Sequence, residues 1–571
     1  EIKFVNDVTK VQISKKDITN SKELPGAALE IRDKNGDVVE SWISGDEPHY
    51  IEAKLEAGKT YTLIETAAPN GYTTTKEIEF TVNNSGEILT VVMEDAPSEV
   101  TISKVDIKDT AQELPGATLQ ILDENGDVVT TIYNERLEWT TTDEPKMIKG
   151  LLDGTYTLHE KEAPDGYTQA VDIAFTVEKG HVSVDGADTA GITMVNEPIR
   201  VNISKTDITN SEELPGATLQ ILKKVTDEGV IEKEEIAKTI YGDLLEWVSG
   251  EKPKMIEGLP AGEYILREIT APNGYTVAED VVFTVDENMS VTLPAETVIM
   301  ENAPTEINVS KVDITNSQEM EGAFLQILNK QTGEVAVTIY GETLSWVSNG
   351  NPKNIKGLPA GEYILRETAA PDGYTIAKDI EFTITDELKV AETITMEDAP
   401  TEVIISKTDI TTGEELPGAT LQIRNELGNE VVTTIYGERL EWVSGREPKV
   451  IRGLPAGNYI LREISAPDGY TITTEDVEFT ITNELKPAET VVMENTPSEV
   501  TISKTDIRNI DEELPGATLQ ILDQNGDVVR TVYNERLEWI TTGEAKEILG
   551  LRDGTYTLRE ISAPAGYTVA E

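Results

Sequence analysis

The sequence contains no cysteine, which removes disulfides, zinc-thiolate centres, iron-sulfur clusters and cysteine nucleophiles together. Only three histidines occur in 571 residues, too few to supply imidazole metal sites or histidine-based triads in any number. His49, His159 and His181 stand in unrelated contexts and read as surface residues. No apolar run approaches the roughly 20 residues of a membrane span, and Glu1-Ile2-Lys3-Phe4 has no signal-peptide pattern. The chain is therefore either cytosolic or an internal segment of something exported. Positive charge is also scarce: 48 Lys and Arg face 105 Asp and Glu, a net charge of −57. Such a chain repels phosphate backbones and anionic lipid, so nucleic-acid partners and membrane insertion are not expected. Aromatics are only 5%, yet 38% of residues are hydrophobic and the glycine and proline content is ordinary, which describes an acidic chain that folds rather than a disordered one.

What the sequence does have is a long repeat. The string Ile-Ser-Lys-x-Asp-Ile, or a close variant, recurs with its lysine at Lys15, Lys104, Lys205, Lys311, Lys407 and Lys504, at spacings of 89, 101, 106, 96 and 97 residues. Each copy continues through Glu-Leu-Pro-Gly-Ala or a variant, a tryptophan, Tyr-x-Leu-x-Glu and Ala-Pro-x-Gly-Tyr. The six tryptophans, Trp42, Trp139, Trp247, Trp346, Trp442 and Trp539, share one repeat position, which points to packing rather than to six separate sites. A period near 100 residues is too long for a solenoid unit and suits a complete small domain. Apolar residues alternate with period two, as in Val100-Thr101-Ile102, and turn signals such as Asn35-Gly36 and Asn125-Gly126 interrupt them. No dozen residues hold a helical period, so each repeat is predicted to be an all-β sandwich of immunoglobulin-like or prealbumin-like type. Short proline-containing joints, such as Asp95-Ala96-Pro97, separate the repeats. They divide the chain into a closing strand of a preceding module at 1–7, modules at 8–97, 98–198, 199–304, 305–400 and 401–497, and an incomplete sixth at 498–571. Linkers this short predict a stiff tandem rod.

Strand phase places three polar residues per module on the apolar face. Lys15 is in phase with Val11 and Ile13; Glu65 follows Tyr61 and Leu63; Asp95 follows Val91 and Met93. The corresponding positions are Lys104, Glu160 and Asn196; Lys205, Glu268 and Asn302; Lys311, Glu367 and Asp398; Lys407, Glu463 and Asn495. An isolated buried charge costs several kcal/mol or more, so these groups must meet one another or be neutralised. Burial lowers a lysine pKa and raises that of a carboxylic acid. A neutral amine is a nucleophile, and a protonated carboxyl beside an Asn or Asp carbonyl can polarise it and carry protons. One reading is therefore attack of the lysine amine on the side-chain carbonyl carbon, losing ammonia or water and leaving an intramolecular isopeptide bond. The other is an ordinary buried ion-pair network.

Lys-x-Asp with Leu-Pro-Gly-Ala, the box Tyr-x-Leu-x-Glu-x-x-Ala-Pro-x-Gly-Tyr, and an Asn or Asp before a proline resemble the B-type, or SpaA-type, prealbumin-like domains of Gram-positive surface adhesins and pilins. The resemblance covers essentially the whole chain. It implies autocatalytic bonds from Lys15 to Asp95, Lys104 to Asn196, Lys205 to Asn302, Lys311 to Asp398 and Lys407 to Asn495. Glu65, Glu160, Glu268, Glu367 and Glu463 would be the proton shuttles. Lys504 and Glu560 lack an acceptor in the sequence, whereas Asn6, in Phe4-Val5-Asn6, occupies an acceptor-like position. Head-to-tail association through Lys504 and Asn6 is one consequence. The fourth module departs from the pattern at Glu319-Met320-Glu321-Gly322-Ala323-Phe324, where the proline is lost.

No cofactor or metal is implied. Asp33-Lys34-Asn35-Gly36-Asp37 has some likeness to a calcium loop but lacks the twelve-residue ligand pattern, and an Asn-Gly hairpin turn is the better reading. The first functional expectation is an extracellular stalk of an adhesin or pilus, with neighbouring modules as partners. The second is direct binding of a host matrix protein or glycan by the modules, for which the extra residues around Lys224 to Ile236 are the one distinctive insert. An enzyme turning over external substrate is not expected, since the only reactive constellation is buried and consumes itself once.

Overall fold

The computed structural model describes residues 1–227, 230–286, 297–387 and 390–570, and contains no helix among them. The first module shows the plan. Its strands are β1 (Lys10–Asp17), β2 (Ala28–Arg32), β3 (Val38–Ile43), β4 (His49–Glu52), β5 (Thr60–Ala67), β6 (Ile78–Thr81) and β7 (Ile88–Asp95). They form a three-stranded sheet of order β4-β1-β7 and a four-stranded sheet of order β3-β2-β5-β6. All pairings are antiparallel except one: β1 and β7, the first and last strands, run parallel, with Ile13 opposite Val91, Lys15 opposite Met93 and Asp17 opposite Asp95.

The period-two pattern drives this arrangement. One face of each sheet is apolar, and burying it against the other yields a core of Val11, Ile13, Leu29, Ile31, Ile51, Leu63, Phe80 and Met93. β1 lies in the middle of the smaller sheet, so its inward residues are covered from both sides. Strict alternation breaks once, at Ser14-Lys15, where both side chains are buried.

Modules two to five repeat this sheet, the second with an added strand, Asp109–Glu113, paired to its first; their first strands are Glu99–Asp106, Arg200–Asp207, Glu306–Asp313 and Glu402–Asp409. Each pairs in parallel with the closing strand of its module: Gly191–Asn196, Thr297–Asn302, Glu392–Asp398 and Glu489–Asn495. In the sixth, the first strand is cut into Glu499–Ile502 and Thr505–Asp506, and no strand follows Thr557–Ser562 among the described residues. In the third, the extra residues extend a hairpin of Thr218–Asp227 with Val230–Ile236.

The six tryptophans are half-buried at the core's edge rather than within it. An ammonium group stands over four of them, with Lys146, Lys254, Lys353 and Lys449 at 5.4 to 5.8 Å from the ring centres. In the first module His49 takes that place, stacked on Trp42 at 4.2 Å, so His49 is a packing residue rather than a free surface one. Asp33 closes its Asn-Gly turn by accepting the backbone N–H groups of Asn35 and Asp37 at 2.8 and 3.1 Å. The chain forms two compact units, Glu1–Pro272 with Val277–Ala303, and Asn273–Thr276 with Pro304–Glu571.

Candidate functional site

Between the two sheets of the first module, Lys15 projects from β1, Glu65 from β5 and Asp95 from β7, and all three are buried, Asp95 completely. Lys15 Nζ lies 3.0 Å from Glu65 Oε1 and donates a hydrogen bond to Asp95 Oδ1. The fourth module reproduces this, with Lys311 Nζ 3.1 Å from Glu367 Oε1 and donating to Asp398 Oδ1. In the modules with asparagine, Lys104 to Glu160 is 3.0 Å, Lys205 to Glu268 is 3.4 Å and Lys407 to Glu463 is 3.4 Å. There the glutamate also accepts from the asparagine amide: Asn196 Nδ2 donates to Glu160 Oε2 at 3.0 Å, Asn302 Nδ2 to Glu268 Oε2 at 2.9 Å and Asn495 Nδ2 to Glu463 Oε2 at 2.9 Å. The carboxylate thus touches both the amine and the amide nitrogen that condensation would expel.

Burial sets the electrostatics. It lowers the lysine pKa of Lys104, Lys205 and Lys407, only partly opposed by the neighbouring glutamate, and Lys205 is brought down to about 8. Burial also pushes Asp95 and Asp398 up to about 7, with the glutamate adding to the rise and the lysine opposing it. The first shift moves the amine toward its neutral form in modules two, three and five, and the second moves the acceptor toward its neutral acid in modules one and four, each a protonation state from which an amide can form.

Two supporting groups went unrecognised in the sequence. A β-bulge precedes the leucine facing the glutamate in every module, as where Ala28 pairs with Ala67 but Leu29 with Glu65. The extra residue re-aims the strand and keeps Glu65 inward while the residues after it face solvent. The carboxylate is then fixed by a backbone N–H ten residues on, from Thr75 at 2.8 Å in module one and Ala278 at 2.6 Å in module three. The second group is the glutamate of the Glu-Leu-Pro-Gly turn, which accepts the backbone N–H of the reactive lysine: Glu23 from Lys15 at 3.1 Å, Glu113 from Lys104 at 2.9 Å, Glu415 from Lys407 at 3.2 Å. Glu23 also accepts the Ser14 hydroxyl, which explains the buried Ser14-Lys15 pair. The only sequence signal was the repetition of that glutamate, which a turn motif accounted for equally well.

In the sixth module Lys504 Nζ meets Glu560 Oε2 at 3.3 Å. Asn6 is exposed and in no strand. No cluster able to hold a metal ion occurs among the described residues.

The family model of the SpaA prealbumin-like fold domain matches the chain six times, over residues 9–97, 98–190, 199–297, 305–400, 401–497 and 498–571. No curated protein sequence matches the chain. Among solved structures, the Bacillus anthracis TIE protein shares 18% identity over 87% of this chain and 76% of its own, with a TM-score of 0.31. The streptococcal ancillary pilin shares 19% identity over 52% of this chain and 99% of its own, at a TM-score of 0.23. BcpA, the major pilin subunit of Bacillus cereus, shares 16% over 69% and 100%, at a TM-score of 0.18. With its six matches in tandem, the chain belongs to the SpaA prealbumin-like domain family.

Proposed function

We propose that this protein is a structural stalk of a Gram-positive surface adhesin or pilus, held outside the cell, whose modules crosslink themselves internally. The observation that supports it best is the buried Lys, Glu and Asn or Asp set, recurring in five modules at the point where first and last strands run side by side. In modules two, three and five the neutral lysine Nζ adds to the Asn Cγ; the glutamate takes an amine proton and returns it to the amide nitrogen, and ammonia leaves. In modules one and four the acceptor is the protonated Asp, and water leaves. The bonds would be Lys15–Asp95, Lys104–Asn196, Lys205–Asn302, Lys311–Asp398 and Lys407–Asn495. Each forms once, so Glu65, Glu160, Glu268, Glu367 and Glu463 act in a single turnover and the protein is not an enzyme toward external substrates. In a chain with no cysteine, such bonds would do the work of disulfides.

Intact-mass measurement tests the reading. Each asparagine acceptor lowers the mass by about 17 Da and each aspartate by about 18 Da, the masses of the groups expelled. The expected deficit reflects three of the first and two of the second; an unmodified sequence mass would overturn the proposal.

A further inference from the structure

Within each compact unit, neighbouring modules share one contact built from the same residue types. Asp17, at the end of β1, is buried and accepts two hydroxyls through one oxygen, from Tyr72 of its own module at 2.9 Å and from Tyr133 of the next at 2.9 Å. Asp106 does the same with Tyr167 at 2.8 Å and Tyr241 at 2.9 Å. In the second unit, Asp409 takes Tyr470 and Tyr533, both at 2.8 Å, and Asp313 takes Tyr374 at 2.8 Å and Tyr436 at 3.5 Å. The residue before each incoming tyrosine fills the other half of the contact. A Cβ on Gly71 would stand 3.1 Å from Ile132; on Gly166, 2.4 Å from Ile240; on Gly373, 2.6 Å from Ile435; on Gly469, 2.6 Å from Val532. All four glycines have positive φ, so their conformation and the close approach both require the missing side chain. Ser98 adds backbone bonds on both sides, from its N–H to Gly71 O at 2.8 Å and from Gly150 N–H to its own carbonyl at 2.8 Å.

The contact has a direction. The Ile/Val-Tyr turn always belongs to the later module, and the Asp, Gly and Tyr socket to the earlier one. The first module passes from Val39 to Trp42 through two residues where the second takes nine from Val129 to Trp139, so the first module has a socket but no such turn. In the sixth, Arg508 Nη2 holds Asp506 at 2.9 Å beside Tyr567 at 2.7 Å, and nothing stands within 4 Å of a Cβ on Gly566.

We infer that the Ile/Val-Tyr turn is a docking element whose partner is the Asp-Gly-Tyr socket of the preceding SpaA-like module, and that it locks successive modules into one body. Independent modules joined by a short linker move relative to each other unless their interface is well packed; here a buried charge-assisted pair of hydrogen bonds and an apolar wedge occupy the same spot. The inference does not depend on whether isopeptide bonds form.

The absence of cysteine makes the test direct. In the full chain, spin labels on Lys34→Cys and Glu124→Cys report the distance across the first contact, and labels on Glu124→Cys and Val171→Cys report module two alone. The expected result is a narrow distribution across the contact that widens at least about twofold in Ile132→Ala/Tyr133→Phe, with the pair inside module two unchanged. Because Ile132 also packs on Gly150 of its own module, Tyr72→Phe/Asp17→Asn repeats the experiment from the socket side and is expected to widen the same distribution. An unchanged width in both double variants, or a distribution already that broad in the parent, overturns the inference.

Discussion

Single side chains decide whether the buried site can react. Lys205 is brought down to about 8 by burial against the pull of Glu268, so its nucleophilic form grows as pH rises through about 8. The acceptors Asp95 and Asp398 stand at about 7, and their reactive neutral form shrinks as pH rises through about 7. Bond formation is therefore expected to accelerate with pH in module three over the range where it slows in modules one and four. Chain recovered unbonded and refolded between about pH 5.5 and 9, then mapped by peptide mass, checks this; parallel profiles would contradict it. The same shift fixes a stability sign for an unbonded module three. The folded pKa of Lys205 lies below the 10.5 of free lysine, so the folded state binds fewer protons between the two values. Stability rises with pH across that window and falls as pH drops through about 8. Replacing the shuttle is the sharper test. Glu268→Ala leaves the apolar core of module three intact but removes the carboxylate that touches both Lys205 and Asn302. The expected product is folded and heavier by about 17 Da than the mass with that one bond formed; a full deficit would show Glu268 to be dispensable.

At the level of strands and turns, the site depends on elements that hold the reacting groups still. Glu415 accepts the Lys407 backbone N–H and the Ser406 hydroxyl, tying the Glu-Leu-Pro-Gly turn to the first strand. Glu415→Ala leaves that partly buried N–H unpaired, a loss of about 1 to 3 kcal/mol. The Lys407 amide is then expected to exchange hydrogen roughly ten- to hundredfold faster, with the module still folded; unchanged protection would deny Glu415 this role. The alternating pattern was enough to read the strands and to turn Lys15, Glu65 and Asp95 inward, because side-chain phase is a local property. The parallel neighbourhood of β1 and β7 was not legible, since nothing in Lys10–Asp17 or Ile88–Asp95 encodes which strand lies beside which across some 80 residues. Nor were the bulge beside Glu65 and the second glutamate, which show only as a repeated leucine and a repeated turn. The shared tryptophan position marked packing but not its depth: the rings sit at the core's edge, where a lysine or His49 covers the outer face. The tyrosine contact between modules was invisible because Asp17 and Tyr133 lie 116 positions apart.

For the whole chain, the consequence of the proposed bonds is mechanical. Force applied at the two ends enters module one along β1 and leaves along β7. With Lys15 joined to Asp95, the load crosses from one strand to its parallel neighbour through the bond, and the 80-residue span between them carries none. Without the bond, that span would extend by roughly 270 Å at about 3.4 Å per residue. The same reasoning covers modules two to five. In the sixth, the first strand is interrupted at Lys504, which meets Glu560. Single-molecule stretching of the full chain is therefore expected to show modules one to five holding until a covalent bond breaks. Glu268→Ala should add one extension event, of a length set by Lys205 to Asn302, and leave the other four modules silent. Five additional events in the parent chain would mean that these buried groups are ion pairs and that the modules resist load only by their sheets.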